Sequence, residues 1–162
     1  NQVIEIDSSY VKAYSSLAEI YIGLKEYTKA FEVLNTATKV DSSDSKSYYL
    51  LGTIYIELKQ FEKAVENLEK GVAVNPEFAM AWLGLAEAHN ELGNCEAAKV
   101  AAREVTERRK NFGGGWYEQG RAEWCKGSGN KTIALNYLEK ARKDRKWREK
   151  AEYDIKSITQ PK

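Results

Sequence analysis

The chain repeats itself, with a period of about 34 residues. Tyr14, Tyr48, Trp82 and Trp116 form one column, each one period after the last. Leu17, Leu51 and Leu85 form the next. Ala18, Gly52, Ala86 and Gly120 form a column of small residues, and Ala30, Ala64 and Ala98 form a second one twelve residues further on. A period of this length means a stack of like supersecondary units, each burying its apolar face against its neighbours. Such a stack presents surface to partners and seldom does chemistry.

The spacing inside one period gives the unit. Tyr48, Leu51 and Tyr55 lie at intervals of 3, 4 and 7 and share one face of an α-helix. Leu58-Lys59-Gln60 breaks the pattern, and Phe61, Ala64, Val65 and Leu68 start a second helix. Two helices joined by so short a link pack antiparallel. The small columns mark where their backbones come closest, and a large side chain there costs about 1–3 kcal/mol. Asp41-Ser42-Ser43-Asp44 and Asp7-Ser8-Ser9 offer N-cap side chains, and Pro76 suits the first turn of a helix. Gly113-Gly114-Gly115 reads as a flexible joint before Trp116. Gly127-Ser128-Gly129 reads as a lengthened turn between two helices.

These columns resemble the tetratricopeptide repeat (TPR) family: an aromatic, then Leu-Gly or Leu-Ala, then Tyr, then an Ala and a second apolar set closing near Asn-Pro. Residues 11–41 and 45–76 match nearly throughout. Residues 79–111 put His89 in the Tyr place, Cys95 in an aromatic place and Ala102 in a Leu place. Residues 113–146 match at Trp116, Gly120, Ala134, Leu138 and Ala141, and depart at Gln119 and Glu123. The resemblance implies an all-α helical-hairpin solenoid, a right-handed superhelix of about four repeats plus a C-terminal helix. The expected organisation is the end of a preceding repeat helix at 1–9, repeats at 11–44, 45–78, 79–112 and a divergent 113–146, then a capping helix and tail at 147–162. The first six residues align with the end of a second helix, so further repeats are expected upstream. In the last segment Trp147, Ala151, Ile155 and Ile158 share one face. A shorter stretch, Ala134-Leu135, Lys140 to Arg145, Trp147, Ala151 and Tyr153, resembles the long TPR subunit of the ciliary intraflagellar-transport A complex. That resemblance implies cilium-directed transport.

Catalysis finds no foothold in the sequence. The single histidine, His89, stands in a core column, and carboxylates such as Glu62 and Glu66 fall at helical spacing with Lys70 on a solvated face. Gly127 to Thr132 lacks the glycine placement and preceding strand of a phosphate-binding loop. Asn130-Lys131-Thr132 is read as a chance match to a glycosylation acceptor. No metal or cofactor is called for. Cys95 and Cys125 read as separate reduced thiols of an intracellular, cytoplasmic chain, with the cilium implied by the narrower resemblance. No apolar run is long enough to span a membrane.

The function expected is therefore a non-catalytic interaction scaffold. In the resembling family the first helices of successive repeats line the concave face. Here that places Lys12, Glu19, Lys46, Tyr49, Thr53, Leu83, Glu87, Asn90, Tyr117, Arg121 and Trp124 toward a peptide or partner helix. The family's carboxylate clamp needs a Lys and an Asn four apart, and Ser15 and Glu19 occupy those places, so the clamp is absent. Charge is uneven. Residues 1–80 carry eight Lys/Arg and twelve Asp/Glu, whereas residues 81–162 carry seventeen and twelve. The basic excess peaks at Lys140, Arg142, Lys143, Arg145, Lys146 and Arg148. The second reading is an adaptor touching nucleic acid through this end, with Trp147 stacking on bases.

Overall fold

The computed structural model describes residues 8–160. The described residues form nine α-helices and no strand. The chain divides into two compact units, Asn1–Phe78 and Ala79–Lys162.

The first unit holds two helical hairpins: α1 (Ser8–Gly23) with α2 (Tyr27–Val40), and α3 (Ser45–Glu57) with α4 (Phe61–Val74). Ser8 and Ser9 belong to α1, so the preceding-helix assignment fails at those two positions, and its remainder lies outside the described residues. The small columns do what their size allows. Ala18, Ala30 and Ala64 are fully buried, and a Cβ on Gly52 would run into the side chain of Leu68. Leu34, Leu50, Leu51 and Ile54 fill the core between them, with Phe31 and Tyr55 in ring contact at 5.0 Å. Asp44 is the N-cap of α3. Its carboxylate accepts from the Ser47 backbone N–H at 3.1 Å and from Ser15 Oγ at 3.0 Å, which ties α1 to the start of α3. Helix exits use side chains too. Asp41 and Asn75, one period apart, each accept from the backbone N–H two residues on, at 2.8 and 3.1 Å. Pro76 lies in that turn, before the next helix and not within its first turn.

A further column runs through the hairpin turns. Lys25, Lys59, Gly93 and Gly127 have φ of 60°, 56°, 68° and 74°, again at the interval of the repeat. At the second of them Gln60 N–H donates to Tyr55 O at 2.8 Å and Lys59 N–H to Ile56 O at 2.9 Å. This bond pair ends a helix on a left-handed residue and satisfies two orphan carbonyls. The same pair recurs at Glu26/Lys25 and, through Asn94 and Gly93, in the second unit.

The second unit holds α5 (Ala79–Leu92) with α6 (Cys95–Arg108), α7 (Gly113–Glu123) with α8 (Lys131–Arg142), and α9 (Arg148–Thr159). A 3-10 turn at Cys125–Gly127 opens the longer link before α8, as the extra glycines suggested, and Asn130 caps α8 by accepting from Ile133 N–H at 3.1 Å. The glycine triplet overturns its expectation. Gly113, Gly114 and Gly115 are not a joint but the buried first turn of α7. A Cβ on Gly114 would sit 2.8 Å from Trp147, and one on Gly115 2.8 Å from Val105. Gly113 would meet Asp144, whose carboxylate accepts its N–H at 3.0 Å. The residues are glycine because helices and a tryptophan press on them. On α9 and its cap, Trp147, Ala151 and Ile158 are buried, with Ile155 packed against the same core.

Candidate functional site: a cleft on the second unit

The residues expected to face a partner separate by unit. In the first unit, Lys12 and Glu19 lie exposed on α1, and Glu19 pairs with Lys46 of α3 at 2.9 Å. Tyr49 is half-buried, edge-on to Phe78 with ring centres 5.2 Å apart, and its carbonyl accepts from the Thr53 hydroxyl at 3.0 Å. Ser15, on the same helix face, is buried beside Ser47, where their hydroxyls are 3.3 Å apart.

In the second unit two expected residues leave the surface. Leu83 and Tyr117 are buried core, Tyr117 lying against Trp147 with ring centres 5.2 Å apart. A helix position facing the next element is covered once that element, for Tyr117 the helix α9 with its Trp147 cap, packs onto it. Glu87 is half-buried. Asn90, Arg121 and Trp124 do converge. They line a cleft of about 420 Å³ with Glu91, Lys126 and Asp154.

Beneath this cleft lies a charged network organised by Glu118. The residue is 1% exposed. Asn90 Nδ2 donates to its carboxylate at 2.8 Å and to its backbone carbonyl at 3.0 Å. Arg121 reaches Glu118 at 3.2 Å and Glu91 at 2.6 Å, so one guanidinium bridges the wall and the floor. Burial pushes the Glu118 carboxyl up to about 7, with Glu87 adding to the rise and Arg121 and Asn90 opposing it. Burial works against the Arg121 charge as well, but Glu118 and the bond to Glu91 hold it protonated. Burial, and then the Asp154 carboxylate, raise the Tyr117 hydroxyl. The arrangement fixes Asn90 and Arg121 in place at the cleft edge.

Glu118 was not singled out from the sequence. Its column in the repeat runs through Ser16, which is exposed, and then Leu50 and Gly84, both buried, so the column alone carried no consistent sign of burial.

The cysteines correct the sequence reading. Cys95 and Cys125 are a disulfide with Cα atoms 5.7 Å apart. Cys125 stands one period after Glu91, at the end of a first helix, and Cys95 opens the preceding second helix. Stacking brings those two ends together, which distance along the chain concealed.

The basic residues Lys140, Arg142, Lys143, Arg145, Lys146 and Arg148 are all exposed, from the last turn of α8 through the link to the start of α9. Arg142 pairs with Glu139 at 2.7 Å. Trp147 is 7% exposed, so it has no free face for a base.

Comparison with known proteins agrees with the fold. The tetratricopeptide repeat family profile matches residues 49–112. The profile for anaphase-promoting complex, cyclosome, subunit 3 matches residues 4–71. No curated protein sequence matches the chain. Among solved structures, pilF of Pseudomonas aeruginosa superposes with a TM-score of 0.79 at 17% identity, over 93% of this chain and 68% of that one. YrrB, described as a TPR protein with an unusual peptide-binding site, gives 0.74 at 22% identity over 93% and 76%. A chain of the APC/C hetero-tetramer Cut9–Hcn1 gives 0.80 at 15% identity, over 91% of this chain but 29% of that one. Helical hairpins, evenly spaced columns and the profile match over residues 49–112 make the chain similar to tetratricopeptide repeat proteins, whose helical-hairpin fold it shares.

Proposed function

We propose that the chain is a non-catalytic interaction scaffold that holds a peptide or partner helix, with the cleft of the second unit as the principal contact. The observation carrying this reading is the convergence of Asn90, Arg121 and Trp124 on one cleft above a buried Glu118. A buried charge costs stability unless fully paired, and its retention fits a role in holding recognition groups still. Interface energy concentrates in aromatics and arginine. Trp124 and Arg121 supply both, while Asn90 offers an amide to a peptide backbone. The likeness to a peptide-binding TPR protein and to an APC/C subunit supports the class of function. A place in ciliary transport rests on the short resemblance at residues 134–153 alone, and neither the matched profiles nor the superposed structures add support to it. The nucleic-acid reading loses its stacking residue with the burial of Trp147.

The test is selection of peptides from a random displayed library against the whole chain. Selected peptides should bind at least about tenfold more weakly to Trp124→Ala/Asn90→Ala, compared at a temperature where the helical signal shows both proteins folded. Equal binding to the variant would remove the cleft as the contact.

A further inference from the structure

We propose a second docking surface, at the end of the second unit where α6 and α8 finish, that takes an acidic peptide segment. Lys110, Trp116, Lys140 and Lys143 surround a hollow of about 370 Å³ that shares no residue with the cleft above. Its floor is aromatic. Trp116 stacks on Tyr137 with ring centres 5.6 Å apart and is fixed by its Nε1–H donating to Lys110 O at 2.7 Å. Lys140 sits 4.3 Å from the Trp116 ring centre.

The charge around this hollow is not neutralised from within. Residues 139–150 carry seven cations and three carboxylates. Glu139 is engaged by Arg142, and Asp144 by the backbone N–H groups of Gly113 and Lys146. Among the described residues, Lys140, Lys143, Arg145, Lys146 and Arg148 then have no carboxylate within 4.0 Å. The helix dipole explains only part of this. It favours Lys140 in the last turn of α8, but Lys146 and Arg148 flank the N-terminus of α9, where a cation is disfavoured. A cluster that the fold does not use, and partly opposes, fits an external anion.

An acidic peptide suits the site better than a nucleic acid. Trp147 is buried, and Trp116 is already engaged by Tyr137 and Lys140, so no ring is left open for a base. Carboxylates on alternate residues of an extended chain share one face and can reach Lys110, Lys140 and Lys143 together. The ring of lysines would also speed encounter with such a chain.

The experiment uses fluorescence anisotropy with a short labelled peptide of alternating glutamate and leucine. Its comparators are the same peptide with glutamine for glutamate and a single-stranded thymine oligonucleotide. The glutamate peptide should bind the whole chain, and more weakly as salt rises. Lys140→Glu/Lys143→Glu should weaken it by about tenfold or more, and Trp124→Ala/Asn90→Ala should leave it unchanged. Where charge reversal lowers helix content, the exposed pair Lys143→Gln/Lys146→Gln replaces it, with the same direction expected. Absence of binding, equal binding of the glutamine peptide, insensitivity to the lysine changes, or tighter binding of the oligonucleotide would each overturn the proposal. Loss through the Trp124 variant instead would assign the peptide to the cleft.

Discussion

Two residues carry costs that their neighbours must offset, and each yields a test. Lys59 holds φ 56° in a turn where the equivalent residues further on are Gly93 and Gly127. A side chain in the left-handed region costs roughly 1–2 kcal/mol, and glycine gives back part of that through the unfolded chain. Lys59→Gly should therefore raise stability by about 0.5–1 kcal/mol, read from the urea midpoint, whereas Lys59→Ala should not. Equal midpoints for the two would show that the turn stores no strain. Glu118 carries the other cost. Its folded carboxyl is raised from 4.5 to about 7. The native state then binds more protons than the unfolded state between those values, so this contribution is full below 4.5 and is lost as pH rises through 7. Across that window wild type should lose on the order of 3 kcal/mol relative to Glu118→Gln, which keeps the acceptor for Asn90 and Arg121 but does not titrate. Parallel denaturation curves for the two proteins at both ends of the window would mean that Glu118 is charged throughout.

At the scale of the helix the instructive case is α7. Its glycines invite a reading as a hinge, and a hinge predicts that Gly114→Ala stabilises by about 1 kcal/mol through helix propensity. The packing predicts the opposite sign. A Cβ there lies 2.8 Å from Trp147 and 3.0 Å from Phe112, so the change should destabilise by about 1–3 kcal/mol. Thermal melting decides between them, and an increase would restore the hinge. Hydrogen exchange should likewise be slow through the interior of α7 and fast at 126–130, where the residues are exposed and the 3-10 turn ends. The helices, their turns and their small columns were legible because each follows from a periodic constraint that a single residue type satisfies. The glycine triplet was not, because its causes are Val105 on the preceding helix and Asp144 and Trp147 about a repeat further along the chain, and local composition cannot distinguish a glycine needed for freedom from one needed for room. The site divides in the same way. Asn90, Arg121 and Trp124 were accessible to helical geometry. The burial of Leu83 and Tyr117 was not, since it depends on how the following hairpin packs.

For the whole molecule, a chain of repeated units gains stability mainly from neighbouring elements, so a local change is felt locally. The Cys95–Cys125 bond is the sharpest probe of this, since it joins the start of α6 to the 3-10 turn that follows α7 within the second unit. It links positions with a sequence separation of 30, and cross-linking a loop of that length is worth roughly 3–4 kcal/mol through the unfolded state. Cys95→Ser/Cys125→Ser should therefore unfold at lower urea than the oxidised wild type. A thiol reductant added to wild type should reproduce most of that shift, and the same reductant should leave the double variant unmoved. Exchange should quicken in α6, α7 and the link to α8 and stay unchanged in α3 and α4, whose core of Leu50, Leu51, Ile54 and Leu68 is built within the first unit. If protection fell equally in every described helix, the stability of the chain would be shared globally and the additive account of the repeats would fail. If reductant left the wild-type midpoint in place, the bond would contribute no stability, and the packing of Leu138, Trp147 and Ile158 alone would hold the second unit together.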